Sequence, residues 1–148
     1  MSRRSAAAGV GLVEILVAVT VLAFGLLGIA ALQATSLRNT QSSLEHGEAT
    51  IKTYEILERM RANYDVAGNG GYDLAEMTCS VPDATTRVQK DWKAWIESLQ
   101  QALGPSACGQ IVDCGSENCT IKVQWDDSRG TGNEKDLVHR TYTTVTRL

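Results

Sequence analysis

The sequence predicts an α+β fold, built from one very long N-terminal helix, a second helix and a small antiparallel sheet of three or four strands. Three observations predict it. Nothing between Val10 and Asn63 breaks a helix: there is no Pro, and the Gly residues are scattered. Trp92, Trp95, Ile96, Leu99 and Leu103 then recur at three- and four-residue steps. Beyond Pro105 the period falls to two, with Ile121, Val123 and Trp125 in alternation. The length of 148 residues is about one domain's worth, and 43% hydrophobic with 21% charged residues is too rich for a disordered chain.

The N-terminal helix divides by composition. Met1 to Gly9 is basic, with Arg3 and Arg4, and ends in Ala6, Ala7, Ala8 and Gly9. From Ile15 to Leu37 there is no charged side chain in 23 residues, and every other Lys and Arg lies at Arg38 or beyond. At about 1.5 Å per residue that run spans roughly 34 Å, enough to cross the hydrocarbon core. A secretory signal peptide would place its small residues after the apolar stretch, whereas here they precede it. Arg3 and Arg4 predict a cytoplasmic N-terminus, which puts the body on the periplasmic side of the inner membrane. The plain reading is a single-pass signal anchor. Glu14 complicates it, because a carboxylate carried to mid-bilayer costs about 2.5–3.5 kcal/mol. Near the membrane edge it either snorkels to water or meets a cationic partner. Gly25 and Gly28 each cost about 1 kcal/mol relative to Ala in a helix interior. They fit close helix packing in a membrane, or local unwinding on assembly.

An apolar stripe runs from Leu37 into the second half of the helix, 38–62, with Leu37, Leu44 and Ile51 at heptad spacing, followed by Tyr54, Leu57 and Met60. That apolar stripe is expected to hold the globular part, 63–148. Arg59 and Arg61 suit the negative C-terminal end of the helix, and Gly68-Asn69-Gly70-Gly71 stops it. The second helix reads from Thr86 to Leu103, with Lys90, Lys93, Glu97 and Gln100 outside and Gly104-Pro105 ending it. Its two Trp are read as core packing rather than a carbohydrate or peptide platform. Strands follow at Gln110–Asp113, Cys119–Trp125 and Leu137–Val145, the last with Val138, Arg140, Tyr142 and Thr144 in step.

All four cysteines, Cys79, Cys108, Cys114 and Cys119, fall in the expected periplasmic part, so they read as disulfides. Three pairings are possible. Cys114 and Cys119 flank a hairpin-sized loop, Gly115 to Asn118, which favours that bridge and leaves Cys79 with Cys108. A zinc site is disfavoured because no pair has two-residue spacing. His46 and His139 sit in no nucleophile or metal signature, and no hydrolase or phosphate-loop motif is present. Asp126, Asp127, Asn133, Glu134 and Asp136, or Asp65, Asn69 and Asp73, could offer oxygen to calcium, but neither set fits an EF-hand. Both are read as solvated. Asn118-Cys119-Thr120 fits a glycosylation pattern but reads as strand entry. No catalytic residue, cofactor or metal is expected, and the chain is not read as an enzyme. Without Arg3 and Arg4 it carries 12 cationic against 17 anionic side chains, which argues against nucleic acid as a partner.

Gly9 followed by Val10-Gly11-Leu12-Val13-Glu14 resembles the class III leader of type IV pilins and pseudopilins, whose usual form is Gly and then Phe-Thr-Leu-x-Glu. Val10 stands in place of the Phe and Gly11 in place of the Thr. Gly25-Leu26-Leu27-Gly28-Ile29-Ala30-Ala31-Leu32-Gln33 is similar to the corresponding stretch of the type IV pilus modification protein PilV family of minor pilins. So are Arg59-Met60-Arg61-Ala62-Asn63 with Gly71-Tyr72, Trp92 and Trp95 with Leu99, and Val123 with Trp125. Major pilins commonly carry a Pro where Ala30 and Ala31 stand. The resemblance implies a pilin-like fold, a leader at 1–9, cleavage between Gly9 and Val10 by a prepilin peptidase, and N-methylation of Val10. It also implies that Glu14 pairs with the N-terminal ammonium of a neighbouring subunit. An apolar filament core tolerates a carboxylate far better beside an opposite charge. The expected function is then a minor pilin, held by residues 10–37 and assembled with other minor pilins and the major pilin. It would prime pilus growth in a tip complex that carries an adhesin, and so support twitching and adhesion. A minor pseudopilin of type II secretion shares the leader and topology. The rival from another class is an unprocessed, membrane-anchored periplasmic binding domain or enzyme.

Overall fold

The computed structural model describes residues 11–80, 83–115, 117–128 and 139–148. The architecture is α+β: α1 (Leu12–Arg61), α2 (Tyr64–Ala67), β1 (Leu74–Thr78), α3 (Arg87–Leu103), β2 (Cys108–Val112), β3 (Cys119–Asp126) and β4 (His139–Thr146). The four strands form one antiparallel sheet in the order β1-β2-β3-β4. This is the pilin-like arrangement expected, a long N-terminal helix with a small antiparallel sheet. The chain forms two compact units, one up to Leu37 and the other from Arg38 onward.

In the first unit every described side chain is exposed, and Leu12, Ile15, Leu16, Phe24, Leu27 and Leu32 are all more than half accessible. In the second unit the core is a three-part sandwich of helix, helix and sheet. The C-terminal turns of α1 supply Ile56, Leu57 and Met60; α3 supplies Trp95, Ile96, Leu99 and Leu103; the sheet supplies Ile111, Ile121, Val123 and Trp125. Tyr72 fills the space after α2. The alternation along β3 is complete, with Cys119, Ile121, Val123 and Trp125 buried and Thr120, Lys122 and Gln124 turned outward.

Local chemistry explains the boundaries. Thr86 caps α3: its hydroxyl accepts the Gln89 N–H at 3.2 Å, while Gln89 Oε1 accepts the Thr86 N–H at 3.1 Å. This reciprocal capping box satisfies two donors that the first turn would otherwise leave open. Thr86 is thus the cap rather than the first helical residue. Gly104, at φ 103°, ends α3 in a backbone conformation that L side chains rarely adopt.

Three expectations need correction. First, the stripe expected to hold the globular part does so only at its end, through Leu57 and Met60. Leu37, Leu44, Ile51 and Tyr54 are exposed at 71%, 61%, 59% and 56%. The buried face of α1 is instead Glu45, Ala49, Thr53, Ile56, Leu57 and Met60, of which only Leu57 and Met60 belonged to the expected stripe. Glu45 and Thr53 are polar, so the face that packs looks weaker in the sequence than the face that does not. Second, β1 was not located as a strand, and it is an edge strand of irregular register in which Leu74 pairs with Ile111 and Thr78 with Gly109. Third, β2 begins at Cys108 rather than Gln110, because Gly109 lies in the strand beneath the Trp95 indole. The short α2 also precedes the glycine-rich stop. The expected last strand begins at Leu137, and Leu137 and Val138 lie outside the described residues; from His139 onward it is β4.

Candidate functional site: the exposed helix and the seams that hold the head

Gly9 and Val10, with the whole 1–9 leader, lie outside the described residues. Glu14 lies in the first turn of α1, its N–H bonded to the Gly11 carbonyl at 3.0 Å. A carboxylate there is favoured by the positive end of the helix dipole. Beyond it the helix holds a segment long and apolar enough to cross a membrane. Its two threonine hydroxyls are satisfied along the helix itself: Thr20 Oγ1 donates to the Leu16 carbonyl at 2.7 Å and Thr35 Oγ1 to the Ala31 carbonyl at 3.1 Å. That is the arrangement a hydrocarbon surrounding demands, since no water is there to receive them. A Cβ at Gly25 or Gly28 would meet nothing within 4 Å. Packing among the described residues therefore does not require the glycines. Gly25 lies instead in a shallow apolar depression with Ala18, Val21, Leu22, Leu26 and Ile29.

In the second unit, α1 presents two faces. Toward the sheet, Glu45 is 3% exposed; its Oε2 accepts the Trp125 indole N–H at 3.1 Å and its Oε1 accepts from Gln41 at 3.0 Å. His46 meets the same indole edge-on, with ring centroids 5.1 Å apart. Asp127, fully buried, accepts from Ser42 Oγ at 3.1 Å and from Arg140 Nε at 3.0 Å. These bonds tie β3 and β4 to the helix. Away from the sheet, Leu44, Gly47, Ile51 and Tyr54 follow at alternating three- and four-residue steps, all exposed. That spacing is the seam by which one helix packs along another.

A second polar seam joins α1 to α3. Tyr72 Oη donates to Asp91 at 2.6 Å, Arg59 bridges Asp91 at 3.3 Å and Glu55 at 3.1 Å, and Lys52 reaches Glu55 at 3.1 Å. Trp95 Nε1 donates to the Lys52 carbonyl at 2.9 Å, and Trp92 Nε1 to the Tyr72 carbonyl at 3.2 Å. Both Trp thus serve packing and helix attachment. Burial raises the Tyr72 hydroxyl above its ordinary value, and its bond to Asp91 raises it further. Burial also pushes the Glu55 carboxyl up, but hydrogen bonds from Lys52 and Arg59, the Lys52 charge and Ser98 together hold it below the ordinary carboxylate value.

The structure joins Cys79 to Cys108 and Cys114 to Cys119. His46 and His139 are not brought together: one lies against Trp125, and the other opens β4 opposite Asp126. The candidate oxygen ligands have other roles. Asp73 accepts the Cys114 N–H at 3.1 Å, Asn69 donates to the Asp65 carbonyl at 2.6 Å, and Asp126 accepts from the Ser128 N–H at 2.9 Å. Asn133, Glu134 and Asp136 lie outside the described residues. Among the described residues no group of three or more His, Cys, Asp and Glu could hold a metal ion. Asp127 was read as solvated and is buried, and Glu45 was not singled out. The available signal was position: Glu45 lies four residues before Ala49 on the face that packs. No family model, no curated protein and no solved structure matches this chain.

Proposed function

We propose that this chain is a minor pilin, cut between Gly9 and Val10 by a prepilin peptidase, N-methylated at Val10, and assembled through its long helix into a type IV pilus. The observation that carries the reading is α1. A carboxylate in its first turn is followed by a charge-free segment from Ile15 to Leu37, every side chain of which is exposed. A helix of that kind needs lipid around it, or other helices of its own kind. Exchange between the two is what filament assembly from a membrane pool requires, and Glu14 then supplies register by meeting the ammonium of a neighbouring Val10. The exposed seam at Leu44, Ile51 and Tyr54 supports the same reading. The two disulfides fit a periplasmic head. On this reading the protein is a single-pass inner-membrane precursor that moves to the surface filament. Its partners are other minor pilins, the major pilin and the adhesin of a tip complex.

The test is an in-frame deletion, with sheared surface filaments quantified beside type II-secreted protein. Loss of pili with intact secretion supports the proposal. Loss of secretion with normal pili assigns the chain to a pseudopilus instead, and no effect on either favours an unprocessed periplasmic binding domain.

A further inference from the structure

The two disulfides stand in unlike surroundings. Cys114 and Cys119 are 4% and 0% exposed and belong to the same core cluster as Ile111, Ile121 and Trp125. Cys108 is 5% exposed, but its partner Cys79, directly after β1, is exposed. The stretch around Cys79 adds little to the core. Across residues 73–94 no described residue is buried, and of the hydrophobic side chains Leu74, Val88 and Trp92 pack only partly against the core. Strand β1 is in register with β2 at Leu74 opposite Ile111 and Thr78 opposite Gly109, with a shift between them. At the surface the Ala75 carbonyl accepts from Gln110 at 2.6 Å and the Cys79 carbonyl from Gln100 at 2.7 Å. Both sides of this stretch are pinned, by Asp73 accepting the Cys114 N–H at 3.1 Å and by the Thr86 capping box that starts α3.

We propose that Cys79–Cys108 is a redox-sensitive latch: a dithiol attacks Cys79 and frees β1 from the sheet, while Cys114–Cys119 and the core stay closed. The attacking thiolate bonds to Cys79 Sγ, the Cys79–Cys108 bond breaks, and its electron pair leaves on Cys108 Sγ, which takes a proton. The second thiol of the reductant then attacks the first reductant sulfur, and Cys79 leaves with its electron pair and takes a proton. The dithiol ends as a disulfide, and the protein has gained two electrons and two protons. Access selects the sulfur, because exchange needs the thiolate to reach it and Cys79 is the one cysteine of the four that is exposed. The consequence is local, because a strand with few buried apolar contacts opens at low cost. Attack on Cys114–Cys119 must wait for the core to open, since both its residues are buried. The latch does not depend on the filament reading, because it uses only the sulfurs and strands of the head.

The experiment uses the full chain in detergent micelles without denaturant. Dithiothreitol is added, portions are alkylated over time, and peptide mass spectrometry locates the modified cysteines. Cys79 and Cys108 are expected to be modified together, at least about tenfold faster than Cys114 and Cys119. With glutathione, a monothiol, in place of dithiothreitol, the mixed disulfide is expected on Cys79 and not on Cys108. Amide exchange of the selectively reduced chain is expected to rise along β1 while α3, β3 and β4 keep their protection, and oxidised glutathione is expected to restore β1. Equal rates at the two bridges, earlier opening of Cys114–Cys119, or glutathione on Cys108 would overturn the proposal. Loss of protection throughout the head would make the bridge a support of the whole fold and would overturn it too. Unchanged protection of β1 after reduction would show that the bridge latches nothing.

Discussion

Single contacts in the head explain why particular residues stand where they do, and Trp95 with Gly109 is the closest fit. The indole covers the glycine so tightly that a Cβ would run into the ring, while Ile96 Cδ1 lies 3.1 Å from the same point. Gly109→Ala is expected to destabilise the head by about 1–3 kcal/mol, the usual cost of overpacking. Urea denaturation followed by Trp fluorescence checks it, and an unchanged midpoint would show that the indole swings aside freely. Glu55 gives a prediction with a sign. Its carboxyl sits below the ordinary value of 4.5, so the fold gains from its charge above that pH and loses the gain as pH falls through the lowered value. Glu55→Gln should therefore cost roughly 0.5–1 kcal/mol at neutral pH, a modest figure because the side chain is partly exposed. The difference from the parent should close on acidification; parallel stability curves from neutral to acid pH would contradict the assignment.

Elements were legible where one period dominated. Helix α3 and strand β3 could be read because their buried residues are large, apolar and in step, and their ends carry strong signals in Thr86, Gly104 and Pro105. The packed face of α1 was not legible, because apolarity alone points to Leu44 and Ile51 while the structure buries Glu45 and Thr53. Glu45 is acceptable there because Trp125 and Gln41 donate to it, and Trp125, 80 residues further along, leaves no local trace. Strand β1 was missed for a related reason. Leu74-Ala75-Glu76-Met77-Thr78 has little alternation, and its place is set by Ile111 and Gly109 across the sheet. The Cys79–Cys108 bridge fastens the end of this weak strand to β2 across a separation of 29 residues. Replacing both cysteines by Ser is expected to cost about 2–4 kcal/mol. Hydrogen exchange should show β1 opening before β3, and uniform opening of the sheet would argue that the bridge does not act locally.

Across the whole molecule, chemistry is divided between a head that pairs most of its described buried polar groups and a helix whose apolar side chains stand exposed. The composition boundary at Arg38 made that division readable from the sequence, whereas the polar seams that hold the head on α1 were not. The assembly proposal turns this division into behaviour. Glu14→Ala is expected to leave a processed chain in the membrane while reducing its recovery in filaments at least tenfold, since one buried charge pair of moderate strength is worth that factor. Immunoblots of membrane and sheared fractions check it, and equal recovery of the variant would remove Glu14 from the account. The most direct measurement is the intact mass of the chain recovered from sheared surface filaments. The account predicts a species that begins at N-methylated Val10. A chain that still begins at Met1, or one found only in the membrane fraction, would contradict it.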